Sequence, residues 1–147
     1  MSKPDKKIVI YVIGVFDLFH VGHLQLLQRA KSLGTKLVVA VNSDDLVSKY
    51  KRKPIINEKD RLKIIKALDL VDNAFLIDTY DNKIHISKNE VDIIVHGDDW
   101  PRDSYMRQIG IDDLFLLKNR VELELVPYTE GISTSQIIRT IHESNNL

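Results

Sequence analysis

A chain of 147 residues that is 44% hydrophobic can bury one ordinary core and is too short to divide comfortably, so residues 1–147 are expected to form a single domain. Lysine plus arginine (21) balance aspartate plus glutamate (21), which argues against a nucleic-acid or membrane partner held by bulk charge and leaves any anion to a local site. The lack of cysteine excludes disulfides, thiolate metal sites and a cysteine nucleophile. With a polar stretch at Met1–Lys7 and no apolar run of membrane-spanning length, the expected setting is the cytoplasm.

In chain order, Ile8–Ile13 reads as a buried strand, and Val21–Leu33 as a helix with Leu24, Leu27 and Ala30 on one face, stopping at Gly34. Leu37–Val41 is a second strand. Glu58–Leu68 is a second helix, with Leu62, Ile65 and Leu68 facing the core. Ala74–Ile77, Val91–Val95 and Val121–Val126 are further strands, short and rich in Val, Ile and Leu as in a parallel sheet covered on both faces. Ser133–His142 closes the chain as a helix, with Ile137, Ile138 and Ile141 at helical spacing behind hydroxyl residues suited to capping. Strands alternating with helices predict a doubly wound, mainly parallel α/β sheet, with ligands in the crevice beyond the carboxyl ends of the strands.

The segment Gly14-Val15-Phe16-Asp17-Leu18-Phe19-His20-Val21-Gly22-His23 begins where the first strand ends and finishes inside the first helix. That crossing is where such a sheet binds phosphate, because free amides and the positive end of the helix dipole point at the ligand. Gly14 lets a ligand approach the backbone, and the amides of Val15 and Phe16 can face an anion. His20 and His23 bring two imidazoles to one phosphate, and Gly22 keeps a side chain from blocking a sugar or base. Phe16 and Phe19 carry core side chains. Two histidines at i and i+3 without a third ligand nearby are a poor zinc site, so no metal ligands are assigned to the protein.

The segment resembles the GxFDxxHxGH signature of the cytidylyltransferase branch of the nucleotidyltransferase superfamily. The resemblance implies a Rossmann-like nucleotidyltransferase fold in which His20 and His23 bind the triphosphate and stabilise the transition state at the α-phosphate. Thr129-Glu130-Gly131-Ile132-Ser133-Thr134, between the last strand and the last helix, resembles the RTEGIST run of glycerol-3-phosphate, choline-phosphate and ethanolamine-phosphate cytidylyltransferases. It places Thr129, Gly131, Ile132, Ser133 and Thr134 at the nucleotide. Tyr128 stands where those families have an arginine that contacts phosphate, and a phenol brings neither charge nor a bidentate fork.

The basic run Lys49-Tyr50-Lys51-Arg52-Lys53 matches a mobile lysine loop in the family. It implies Lys51 and Lys53 as charge-stabilising residues, with Arg52 at the nucleotide in an ungapped register. Arg61 matches a family arginine, although a surface arginine paired with Asp60 or Asp72 is an equal reading. Val95-His96-Gly97-Asp98-Asp99-Trp100 resembles the GDDW run of glycerol-3-phosphate cytidylyltransferases, and Asp98 is preferred over Asp99 as reader of a cytosine amino group or a substrate hydroxyl. His96, His85 and His142 read as structural. Asp17 holds the first turn or approaches the acceptor. The stretch around Ser104–Leu117 is longer than in compact relatives and contains Arg107, which is expected, ahead of Arg102, to replace the charge missing at Tyr128.

The expected reaction is CMP transfer from CTP to a phosphorylated alcohol, with Mg²⁺ as cofactor, a homodimer as the assembly, and no nucleic-acid or membrane partner. Glycerol 3-phosphate is the favoured acceptor. Ethanolamine phosphate, choline phosphate and sugar-alcohol phosphates follow; the rivals are an adenylyltransferase for a heptose phosphate and a non-catalytic nucleotide-binding module.

Overall fold

In the computed structural model, which describes residues 6–144, five parallel strands form one sheet. They are β1 (Val9–Gly14), β2 (Lys36–Asn42), β3 (Asn73–Ile77), β4 (Ile93–Gly97) and β5 (Glu122–Val126), in the spatial order β3-β2-β1-β4-β5. Strand alternation divides the core between the two faces. Val9, Tyr11 and Ile13 of β1 join one buried cluster, and Ile10 and Val12 join the other. The helix α1 (Val21–Ser32) covers the second face with Leu27 and Ala30, and α3 (Glu58–Lys66) adds Ile65. The opposite face is covered by α2 (Asp44–Ser48), α4 (Lys83–Lys88), α5 (Arg102–Gln108) and α6 (Asp113–Asn119), which contribute Leu46, Ile86, Tyr105 with Met106, and Leu116. The expected doubly wound sheet is therefore present, and all of its pairings are parallel.

Two expectations about the elements are corrected. The strand β5 is half-covered rather than buried on both faces: Glu122 and Glu124 are exposed, as suits an edge strand. The helices α2, α4, α5 and α6 went unread because each is five to seven residues long, too short for a hydrophobic period to emerge. The last helix, α7 (Thr134–Glu143), has Ser133 as its N-cap, the hydroxyl accepting from Gln136 N at 3.1 Å.

The strand order reverses at β1, where chain connections leave in opposite directions from β1 and β4. The β1–β4 ladder registers only Ile10 with Ile93 and Tyr11 with Ile94. Beyond those pairs the carboxyl ends, toward Gly14 and Gly97, open a crevice. No helix among the described residues is long and apolar enough to cross a membrane.

Arg61 anchors the near side of that crevice, and its pairing with Asp44 excludes the surface pairing with Asp60 or Asp72, one of its two equal sequence readings. Its side chain is fully buried. Nε donates to Ile56 O (2.9 Å), Nη1 to Val15 O (2.7 Å) and Asn42 O (2.9 Å), and Nη2 to Asp44 Oδ1 (2.8 Å). One guanidinium thus joins the ends of β1 and β2, the first turn of α2 and the segment that leads into α3. Removing it strands a carboxylate and three carbonyls. Arg61→Met should lower the unfolding free energy in urea by at least about 2 kcal/mol, and a loss of less than about 0.5 kcal/mol would contradict the anchoring role.

Candidate active site

The crevice is a cleft of about 950 Å³, lined by the first motif, α1, the basic run, the end of β4, α5 and the start of α7. Its centre is the histidine pair. His20 is the N-cap of α1, in extended backbone. Its Nδ1 accepts from Gly22 N at 3.0 Å, while His23 Nδ1 accepts from His20 N at 3.2 Å. Together they form a capping box made from two imidazoles. The rings stack with centroids 3.8 Å apart, and His23 is held against Phe16 and Phe19 at 5.5 and 5.4 Å.

This capping fixes the tautomer. An Nδ1 that accepts a hydrogen bond carries no proton, so each neutral ring bears its proton on Nε2. Desolvation lowers the His20 pKa. For His23, desolvation first and the neighbouring His20 second bring it down to about 4. Near neutral pH the pair is two uncharged Nε2–H donors side by side.

Gly14 and Gly22 both line the cleft, and each also meets a packing demand of the protein itself. A Cβ on Gly14 would lie 2.8 Å from the Phe16 ring, so the space is taken by Phe16 folding back. A Cβ on Gly22 would lie 2.8 Å from His20 Cε1 and 3.3 Å from Ile132 Cγ2, so Gly22 makes room for the capping imidazole and for the second motif. Phe16 (φ 56°) and Leu18 (φ 49°) occupy the left-handed region, an unfavourable conformation for such residues. Two flanking bonds hold it: Arg61 to Val15 O at 2.7 Å and Thr134 Oγ1 to Asp17 O at 2.9 Å.

Asp17 is buried, and its carboxylate accepts from the amides of Ile55 (2.8 Å) and Ile56 (2.9 Å). Of its two sequence readings, the structure shows the one that holds the first turn, here by fastening it to the far end of the basic run. Lys51 and Arg52 line the cleft, while Lys53 does not. Partial burial and the Arg52 charge lower the Lys51 pKa, and its Nζ lies 5.7 Å from the centre of the Tyr50 ring. In the second motif, Thr129, Ile132, Ser133 and Thr134 line the cleft. Thr129 Oγ1 meets Gln25 Oε1 at 2.9 Å, tying that run to α1. Gly131, with φ 82°, makes the turn before α7 and lies outside the wall.

Three acceptor-side and base-side expectations are redrawn. Asp98 is not in the wall: its Oδ1 accepts from Tyr128 N at 2.9 Å, and Asp99 lines the cleft instead. Arg107 is exposed on α5 and Arg102 pairs with Asp113 at 2.8 Å, and neither lines the cleft. Tyr128 itself lines the cleft. Arg29, which the sequence reading passed over, does line it, from the last turn of α1 at heptad spacing from Gly22. His96, read as structural, is also in the wall, stacked on Tyr105 with centroids 4.0 Å apart and planes within 8°. The turn from β4 into α5 brings His96 and Tyr105 together.

A cleft of about 950 Å³ at a topological switch point, with paired imidazole donors at a helix start and cations beside it, is the site of a nucleotidyltransferase. The comparisons agree: the cytidylyltransferase-like family model matches residues 11–140, and the chain belongs to that family. A glycerol-3-phosphate cytidylyltransferase of Bacillus spizizenii is 38% identical over 90% of this chain and 94% of its own length. The bifunctional protein HldE of Campylobacter concisus is 34% identical over 99% of this chain, which spans only 29% of that protein. Among solved structures, a lipopolysaccharide core biosynthesis protein from Thermoplasma volcanium superposes with a TM-score of 0.68 at 29% identity, over 84% of this chain and all (100%) of that one.

The histidine geometry has a pH consequence. Because the folded pKa is depressed, the unfolded chain binds more protons between about pH 6.5 and 4. The stability linked to the uncharged pair is therefore complete above that window and is lost as pH falls through it. Imidazole NMR titration should give a His23 midpoint near 4 and a His20 midpoint below that of a free histidine. A His23 midpoint at or above 6.5 would contradict the uncharged-donor geometry.

Proposed function

We propose that this chain, acting as a single nucleotidyltransferase domain, transfers CMP from CTP to a phosphorylated alcohol, with glycerol 3-phosphate as acceptor. The products are CDP-glycerol and pyrophosphate. The observation that carries the reading is the capped, stacked pair His20 and His23, whose Nε2–H groups are free to donate to the α-phosphate. A relative bearing the name of that activity and matched over nearly its whole length supports the choice of acceptor.

In this reading an acceptor phosphate oxygen attacks the α-phosphorus and forms the new P–O bond. The bond from that phosphorus to the α–β bridging oxygen breaks, and pyrophosphate leaves with its electron pair. Nothing on the protein is covalently modified. His20 and His23 donate to the α-phosphate oxygens as charge shifts, and donors already in place need no reorganisation at the moment of reaction. Lys51 and Arg52 offset the charge of the β- and γ-phosphates, and Lys53 can join them only if the basic run moves inward. The hydroxyls and amides at Ser133 and Thr134 receive the leaving pyrophosphate at the start of α7.

Mg²⁺ is part of the proposal, and the donor set suits an ion carried mainly by the nucleotide. Among the described residues no group of three His, Cys, Asp or Glu side chains could hold a metal. Asp17 is occupied by two amides, which leaves Asp99 as the lining carboxylate able to take a position on the ion. Bound by triphosphate oxygens and water, Mg²⁺ would neutralise charge developing on the leaving group. The reading also carries a cytoplasmic setting and a homodimer, to which the exposed Leu114 and Leu117 of α6 offer apolar surface.

Adenylyl transfer to a heptose phosphate is the second reading, favoured by the shared histidine motif and the extensive likeness to the HldE proteins. A pyrophosphate-release screen of four nucleoside triphosphates against phosphorylated alcohols and sugars separates the two. CTP with glycerol 3-phosphate should give the highest kcat/KM; ATP leading with every acceptor would overturn the cytidylyl reading. In the same assay His20→Ala and His23→Ala should each lower kcat by at least about a hundredfold. Near-normal turnover in either purified variant would remove the histidines from the mechanism.

A further inference from the structure

In an in-line displacement the attacking and departing oxygens are axial on the α-phosphorus, and its two non-bridging oxygens and the nucleoside O5′ lie in the equatorial plane. With the non-bridging oxygens against His20 and His23, the nucleoside leaves the site sideways, away from the axis of transfer. The wall that runs on from the histidines along α1 is Gly22, Gln25 and Arg29, which at spacings of three and four share one helix face. Opposite stands the segment after β5, where Pro127 and Thr129 line the cleft. Thr129 Oγ1 donates to Gln25 Oε1 at 2.9 Å, so the two walls form a slot of fixed width, open at Gly22.

Arg29 is the charged residue of this slot. Among the described residues its guanidinium enters no ion pair and donates no hydrogen bond, in contrast to Arg61 and Arg102; only its main-chain carbonyl is engaged, by Ser32 Oγ. At 1.5 Å per residue, Arg29 lies about 13 Å along the helix axis from His20. Long helical side chains lean back toward the helix start, which brings the guanidinium level with the middle of the slot. That is too far for the α-phosphate held at the histidines and suits a base carried beyond its ribose. No free carboxylate competes for it in the cleft wall: Asp17 is engaged with two amides, and Asp99 belongs to the turn after β4.

Resting on the transfer reaction proposed above, we propose that the slot between α1 and the segment after β5 receives the nucleoside, and that Arg29 is the residue that selects cytosine. A guanidinium presents parallel N–H donors and no acceptor. Cytosine places two acceptors, N3 and O2, side by side on its outer edge, and the fork meets both. Uracil has a donor, N3–H, in place of the first acceptor. Adenine sets its N1 acceptor between a donating amino group and a C–H. Each of the two therefore leaves one arm of the fork unpaired or facing a donor, which is how a single site rejects a base of nearly the same size. Gln25, held by Thr129, keeps the slot at the width at which the fork lies along the base edge.

Calorimetric titration of the full chain with CTP, UTP and ATP in the presence of Mg²⁺, without acceptor, tests the assignment apart from turnover. The native protein should bind CTP at least about tenfold more tightly than UTP or ATP, the worth of a charge-assisted bidentate pair. Arg29→Met should weaken CTP by at least about tenfold and UTP and ATP by less than about threefold, so that the preference disappears. Arg29→Lys keeps the charge without the fork and should lose the preference as well. Both variants should keep the native urea midpoint, because the exposed side chain has no protein partner to lose. Equal weakening of all three nucleotides would make Arg29 a general attractor of phosphate, and an unchanged CTP affinity would remove it from the site; either result overturns the inference. An Arg29-dependent preference for CTP without pyrophosphate release from any acceptor would reject the transfer reaction and keep the base reader. Pyrophosphate release by a native protein that binds CTP and UTP alike would do the reverse.

Discussion

The site depends on one buried guanidinium. Arg61 reaches four partners in three stretches of the chain: Val15 in the first motif, Asn42 at the end of β2 with Asp44 at the start of α2, and Ile56 before α3; Val15 and Asn42 line the cleft. A charge this deep is tolerated because four of its five N–H donors find acceptors, so the positions of all four partners are specified together. Asp17 supplies the reciprocal tie, accepting from the amides of Ile55 and Ile56. Between them the two residues lock the first motif to the end of the basic run, so that Lys51 and Arg52 face the histidines although roughly thirty residues separate them in the chain, well within the reach of a closed loop.

What is locked in this way is a conformation that would not persist alone. Phe16 and Leu18 sit at positive φ, which costs of order 1 kcal/mol or more at each residue. The return is position: the tight turn delivers His20 to the start of α1, where capping by its own Nδ1 frees Nε2 for a ligand. The same bonds that close the helix end select the tautomer. Burial then keeps the rings uncharged, so the site offers hydrogen bonds at the α-phosphate and leaves positive charge to Lys51, Arg52 and Arg29 at its margins.

Much of this was legible in the sequence, for identifiable reasons. The strands and the helices α1, α3 and α7 announce themselves through apolar runs and period, and the two motifs fall at strand-to-helix crossings because their spacing is local. What escaped was set by tertiary partners. Arg61 reads equally well as a surface or a buried residue until Val15, Asn42 and Asp44 are brought around it. Asp98 and Asp99 are adjacent, and only the approach of the Tyr128 amide decides which one turns away. Arg107 looked suited to the cleft by its distance along the chain, but the short helix α5 turns Tyr105 inward and Arg107 to solvent. The stack of His96 on Tyr105 joins β4 to that helix and carries no local signature.

The central claim is attack by an oxygen of the acceptor phosphate on the α-phosphorus of CTP. It is tested most directly by ³¹P NMR of the products formed from CTP and glycerol 3-phosphate labelled with ¹⁸O in its phosphoryl oxygens. The account predicts CDP-glycerol with the label on the β-phosphorus and in the bridge to the α-phosphorus, together with unlabelled pyrophosphate. Label in pyrophosphate, or a bridge oxygen that came from CTP, would contradict it.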